Sequence, residues 1–238
     1  MSLDLVFQYL LSPTFFHGAA MTLLITVSSL VFGLLAGFVL ALVNQVKFLP
    51  VRLIAVFYLW LFRGTPVLFQ IIFIYNVLPT FGIRLTAFAS GVIALSLNEG
   101  AYMAEIIRSG LQAIKSGQRT AGMALGMTKL MVMRYVVLPQ AARIMLPPIG
   151  NQTIGMLKTS ALVSVIAVEE LLLVANQTAS ATFRYFEALS AAGIYYLALT
   201  TIFMAGQYWM ERSLEPKRSR APKRSVLSIL LQPAAENN

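Results

Sequence analysis

The chain has 238 residues, 58% of them apolar and only 11% charged, with a mean hydropathy of +0.76. Soluble domains carry charge on roughly a quarter of their residues, so this composition is that of a membrane protein. There is no cysteine, one histidine (His17) and nine scattered carboxylates, which leaves no support for disulfides, thiol chemistry, a metal centre or paired acid/base catalysis.

Residues 1–18 lack a basic leader region, and no cleaved signal is expected there; His17 reads as an interfacial residue. A crossing helix needs about 20 mostly apolar residues. Residues 19–43 supply the first, with Gly33 and Gly37 at a spacing that permits close helix packing, although glycine is also simply tolerated in membrane helices. Residues 53–77 supply the second, interrupted by Arg63-Gly64-Thr65-Pro66, where the missing proline donor predicts a bend or local unwinding. The third span is 85–107, with Asn98, Glu99 and Glu105 along it. The fourth is 149–168, opened by Pro147-Pro148 and holding Asn151, Gln152, Lys158, Thr159 and Ser160. Residues 169–187 are too polar to cross and are expected to form a short surface helix. The fifth span, 188–209, closes on Tyr208 and Trp209. Residues 210–238 form a basic tail expected to be disordered.

Five spans put alternate links on opposite sides. The 44–52 link, the 108–145 region and the tail together hold fourteen Lys and Arg, whereas the other side holds only Arg84 and Arg184. This predicts an all-α integral membrane protein with the N-terminus outside and the C-terminus inside. The net charge of +9 is thus an orientation signal, and nucleic-acid binding has no support.

The 116–139 loop then faces the cytoplasm. Residues 118–125 predict a short helix ended by Gly126, and Thr128 is placed to cap a second helix running to Leu138 and stopped by Pro139. Ala121, Gly122 and Ala124 make the first helix thin enough for another protein to approach its backbone. An interfacial lipid helix is the alternative, but such helices carry bulky anchors.

Intramembrane ionisable groups are functional candidates. Arg63 is placed to attract a carboxylate or support the helix break, or else to snorkel to headgroups or cap freed carbonyls. Thr65 and Pro66 border exposed backbone. Asn98 and Glu99 lie mid-span, where Glu99 either receives an ammonium or pairs with Lys158. Glu105 beside Arg108 suits a structural ion pair. Lys158, Thr159 and Ser160 line a path or join helices. No G-x-x-x-x-G-K-[ST] phosphate loop is present, so any ATP-driven motor lies on another chain.

The stretch G-Q-x-x-A-x-x-A-L-G-M-T followed by LPQA resembles the EAA loop of ABC importer permeases, in particular the polar amino acid uptake family. Phe62-Arg63-Gly64-Thr65-Pro66, the run from Gly100 to Arg108, Leu138-Pro139-Gln140-Ala141, Leu146-Pro147-Pro148 and Leu157-Lys158-Thr159-Ser160 continue the series over residues 18–209. The family's Glu-Ala-Ala reads Thr120-Ala121-Gly122 here, and Thr159 stands where Asp or Asn is usual. The resemblance implies a five-helix, non-catalytic permease of the bacterial cytoplasmic membrane that works by alternating access. It would pair with a second copy or a paralogue and be driven by two cytoplasmic ATPase subunits, with no cofactor of its own and ATP on those partners. An extracytoplasmic solute-binding protein would deliver an amino acid. Coupling to the ATPases would run through Gly117, Gln118, Thr120, Ala121, Gly122, Ala124, Leu125 and Gly126. The different-class alternative is a self-sufficient secondary transporter or channel, against which the lack of internal repeats argues.

Overall fold

The computed structural model describes residues 2–46 and 48–214, so the tail expected to be disordered lies outside the described residues from 215 onward. Every regular element among the described residues is helical: α1 (Leu3–Leu10), α2 (Pro13–Val43), α3 (Leu49–Gly64), α4 (Val67–Asn76), α5 (Ala87–Gln112), α6 (Ser116–Ala124), α7 (Lys129–Met131), α8 (Leu138–Thr159), α9 (Leu171–Thr182) and α10 (Tyr185–Leu214). A π-helical turn, Val132–Val137, joins α7 to α8, and a 3-10 turn, Ser160–Ile166, follows α8.

Local chemistry sets several of these ends. The Ser12 hydroxyl accepts from the Phe15 N–H with Pro13 at the first turn, so α2 starts six residues before the expected span. Thr86 caps α5 by accepting from Ala89 N–H, and Thr128 accepts from Met131 N–H as expected. Gly126 takes φ +82°, the left-handed conformation that lets the chain reverse after α6.

Three expectations need correction. Pro139 does not stop the second loop helix: the widened π turn just before it carries the chain past a residue that a regular helix could not accommodate, and the rod continues through α8. Pro147 and Pro148 consequently lie inside α8 rather than opening a helix. The short helix expected at the surface in residues 169–187 forms as α9, but it is exposed on its polar face only. Leu171, Val174, Ala175 and Ala179 form one helical face of α9 that is buried with Val6, Phe15 and Ala188 of α1, α2 and α10. Glu170, itself fully buried, caps α9 by accepting from Leu172 and Leu173 N–H and from the Tyr196 hydroxyl.

The centre of the bundle is the α2–α5 pair. A Cβ placed on Gly33 would meet the Glu99 Cβ at 2.7 Å, and one on Gly37 would meet the Met103 Cβ at 2.5 Å. Hydrogen at these positions is therefore what lets the two helices touch. Among the described residues two helices, Pro13–Val43 and Tyr185–Ser213, are long and apolar enough to cross a membrane alone. The pair Leu49–Gly64 and Val67–Phe81, bent by 104° at its break, makes a third if counted as one span.

Candidate functional site

The break between α3 and α4 follows from one missing donor. In a continuous helix the Phe62 carbonyl would accept from residue 66, but Pro66 has no N–H. Thr65 turns to extended backbone, its hydroxyl donates to the Leu61 carbonyl at 2.8 Å, and the chain bends. The Phe62 carbonyl accepts instead from Asn98 Nδ2 on α5 at 2.9 Å and from Gln70 Nε2 on α4 at 3.0 Å.

This elbow, the middle of α5 and the second half of α8 enclose a cavity of about 580 Å³. Arg63, Thr65, Pro66, Asn98, Glu99 and Thr159 line it, so six of the eight path candidates lie around one space. The remaining two do not reach it. Lys158 is exposed on another side of α8, and Ser160 is fully buried with its hydroxyl donating to the Leu157 carbonyl at 2.8 Å. Adjacent residues on a helix point about 100° apart, so three consecutive polar residues cannot share one wall.

The cavity holds both signs of charge. Glu99 is only 2% exposed; its Oε2 accepts from Gln152 Nε2 at 3.4 Å, and its Oε1 has no hydrogen-bond partner among the described residues. A buried carboxylate oxygen without a donor is costly. No ion pair joins Glu99 to Lys158 among the described residues, which removes that alternative. Arg63 lies 3.9 Å from Glu105 Oε2 and over the Tyr102 ring at 5.8 Å. Glu105 is held by a two-point contact with Arg108, the ion pair expected from their spacing.

Sequence reasoning missed Tyr102, Gly155 and Met156 as lining residues. It also missed Gln70, the one amide in the apolar run Val67–Ile74, which was the signal that could have found it. Gln152 was noticed only as one of several polar residues.

The loop candidates divide by face. Gly117, Gln118, Thr120, Ala121, Ala124, Leu125 and Gly126 are exposed, with Leu125 at 84%. Gly122 is buried: a Cβ there would meet Val132 Cγ2 at 2.9 Å, so this glycine seats α6 on the π turn and does not thin the outward surface. Arg119 ties α6 to the end of α5 by donating to the Leu111 carbonyl at 3.0 Å.

A family model described as binding-protein-dependent transport system inner membrane component matches residues 29–216. The chain is 40% identical over 204 residues to the arginine transport system permease protein ArtQ of Bacillus subtilis, covering 85% of this chain and 93% of that protein. It is 39% identical over 196 residues to the glutamine transport system permease protein GlnP of Escherichia coli, covering 80% and 88%. A crystal structure of an amino acid ABC transporter with histidines superposes with a TM-score of 0.83 at 42% identity, over 90% of this chain and all of that one.

Proposed function

The chain belongs to the family of binding-protein-dependent transport system inner membrane components, and on that premise we propose that it is the permease subunit of an ATP-driven importer for a polar amino acid. Five spans carry it: α2, the α3–α4 pair, α5, α8 with its 3-10 turn, and α10. The N-terminus is outside and the C-terminus inside the bacterial cytoplasmic membrane. Helices α5 and α8 are the more polar ones, and they line the cavity, which is where a bundle tolerates polar groups at membrane depth. The count of fourteen basic residues against two supports the orientation.

ATP is hydrolysed on two partner subunits, which grip the exposed face of α6 around Ala121 and Leu125. Their closure drives alternating access through Arg119 and the π turn. A second permease, identical or paralogous, covers the outward stripe of α8 at Pro147, Pro148, Asn151 and Lys158; the exposed amide of Asn151 and ammonium of Lys158 at that depth suit a protein neighbour better than lipid. An external solute-binding protein supplies the amino acid.

The observation that carries the substrate class is the opposed pair in one cavity, Arg63 and Glu99, with Glu99 Oε1 unpartnered. A zwitterion satisfies both ends: its carboxylate meets the guanidinium and its ammonium meets the glutamate. Arginine and glutamine, the solutes in the two relatives' names, share that head and differ in side chain.

The test is uptake of labelled arginine, glutamine and glutamate, in competition, by the complete system in proteoliposomes. Uptake should require ATP and every subunit. Glu99→Gln should raise KM about 10- to 150-fold, the equivalent of a charge-assisted contact of about 1.5–3 kcal/mol, while the complex still assembles. An unchanged KM would remove this cavity from the path. ATP-independent uptake by this chain alone would establish a self-sufficient transporter or channel instead.

A further inference from the structure

Gln70 is 5% exposed, and both ends of its amide are engaged. Its Nε2 faces the Phe62 carbonyl at 3.0 Å, the Thr65 carbonyl at 3.1 Å and the Thr65 hydroxyl at 2.9 Å. Its Oε1 accepts from Asn98 Nδ2 at 3.2 Å, and that same amide donates to Phe62. Gln70 therefore shares with Asn98 the replacement of the donor that Pro66 removes, fixes the extended residue Thr65, and ties both to α5. It does this from behind: Gln70 lines an apolar cavity of about 490 Å³ on the far side of the elbow, with Phe69, Phe73 and Ile93, and does not line the charged one.

We propose that Gln70 is a positioning residue of the transport path, holding the Arg63–Pro66 wall at a fixed distance from α5 and α8 so that Arg63 and Glu99 face one solute. This role rests on the reading of the charged cavity as that path. Two properties single out Gln70 from ordinary interhelical glue. Its contacts converge on Phe62 and Thr65 at the break and on Asn98, of which Thr65 and Asn98 line the charged cavity, and no other side chain reaches both the Thr65 and Phe62 carbonyls among the described residues. Asn98 shares the Phe62 carbonyl, but among the described residues the Thr65 carbonyl has Gln70 as its side-chain donor, and an unpaired carbonyl at a break in an apolar environment is costly.

Two variants test this in the complete transporter in lipid nanodiscs. Gln70→Met keeps the length and Gln70→Leu shortens it, and neither can donate to carbonyls. The chain has no cysteine, and Gly64 and Gly155 both line the cavity with open space where a Cβ would go, so Gly64→Cys with Gly155→Cys accepts spin labels cleanly. Dipolar EPR between these labels should give a narrow separation with Gln70 present and a broadened or shifted one in both variants. In the cysteine-free background, KM for labelled amino acid should rise at least about tenfold, with maximal rate and ATPase activity changed less than about twofold. Unchanged spectra would overturn the proposal, as would a lower maximal rate at constant KM. Loss of both variants from the membrane would reduce Gln70 to structural glue and overturn it too. Broadened spectra with normal uptake would uphold the positioning role and count against the cavity as the solute path.

Discussion

Gly33→Ala adds a single methyl group at the point where α2 touches the back of Glu99. The new Cβ would sit 2.7 Å from Glu99 Cβ, 2.8 Å from its Cγ and 3.3 Å from the Ser96 carbonyl, whereas ordinary contact begins near 3.4 Å. Relief requires the Glu99 stem to move by about 0.7 Å, and α5 cannot retreat easily because its opposite side packs on α8 and α4. Overpacking of this kind costs about 1–3 kcal/mol. Part of that falls on the fold and part on the carboxylate, which would be pushed towards the cavity and away from Gln152. Gly37→Ala provides the comparison, since its Cβ would meet Met103 Cβ at 2.5 Å and the Ala104 N at 2.9 Å, away from the charged pair. Both variants should lower the thermal midpoint of the purified complex, while Gly206→Ala, with nothing within 4 Å, should leave it unchanged or raise it slightly. Only Gly33→Ala should also raise KM for the amino acid, by about 5- to 30-fold if 1–2 kcal/mol reaches the site. Equal KM in the Gly33 and Gly37 variants would refute the idea that α2 sets the position of Glu99. A Gly33 variant as stable as that of Gly206 would refute the packing argument itself.

Ala121→Trp, on the exposed face of α6, should abolish co-purification of the ATPase subunits while membrane insertion and thermal stability persist; retained ATPase binding would count against that face as the docking surface. Gly122→Ala should behave oppositely, lowering stability by about 1–2 kcal/mol through its contact with Val132, as read by thermal unfolding. Glu170→Ala should destabilise by about 2–4 kcal/mol, since it removes the cap of α9 and leaves the half-buried Tyr196 hydroxyl without its acceptor. A thermal midpoint within about a degree of the parent would show that the cap is dispensable.

Much of this molecule was legible in its residues. The apolar runs located α2, α5 and α10, and Arg63-Gly64-Thr65-Pro66 marked the elbow, because a proline without an N–H breaks a helix wherever it falls. Gly126 and Thr128 marked the turn after α6 through local backbone and capping chemistry. What could not be read was direction. Lys158, Thr159 and Ser160 are neighbours in sequence, yet one is exposed, one lines the cavity and one is buried, because each step along a helix turns about 100° and only the packing of α8 against its neighbours chooses the face. Gly122 looked like part of an outward docking surface for the same reason, until Val132 occupied the space beside it. Pro139 and Pro147-Pro148 read as helix boundaries because local rules give a proline no other place; the π turn and the body of α8 absorb them. Residue chemistry by itself therefore determined where this chain is apolar, where it breaks and where its charges accumulate. Tertiary structure alone decided which side of each helix meets the cavity, and so which polar groups come together there, with Gln152 on its wall and Gln70 behind the elbow.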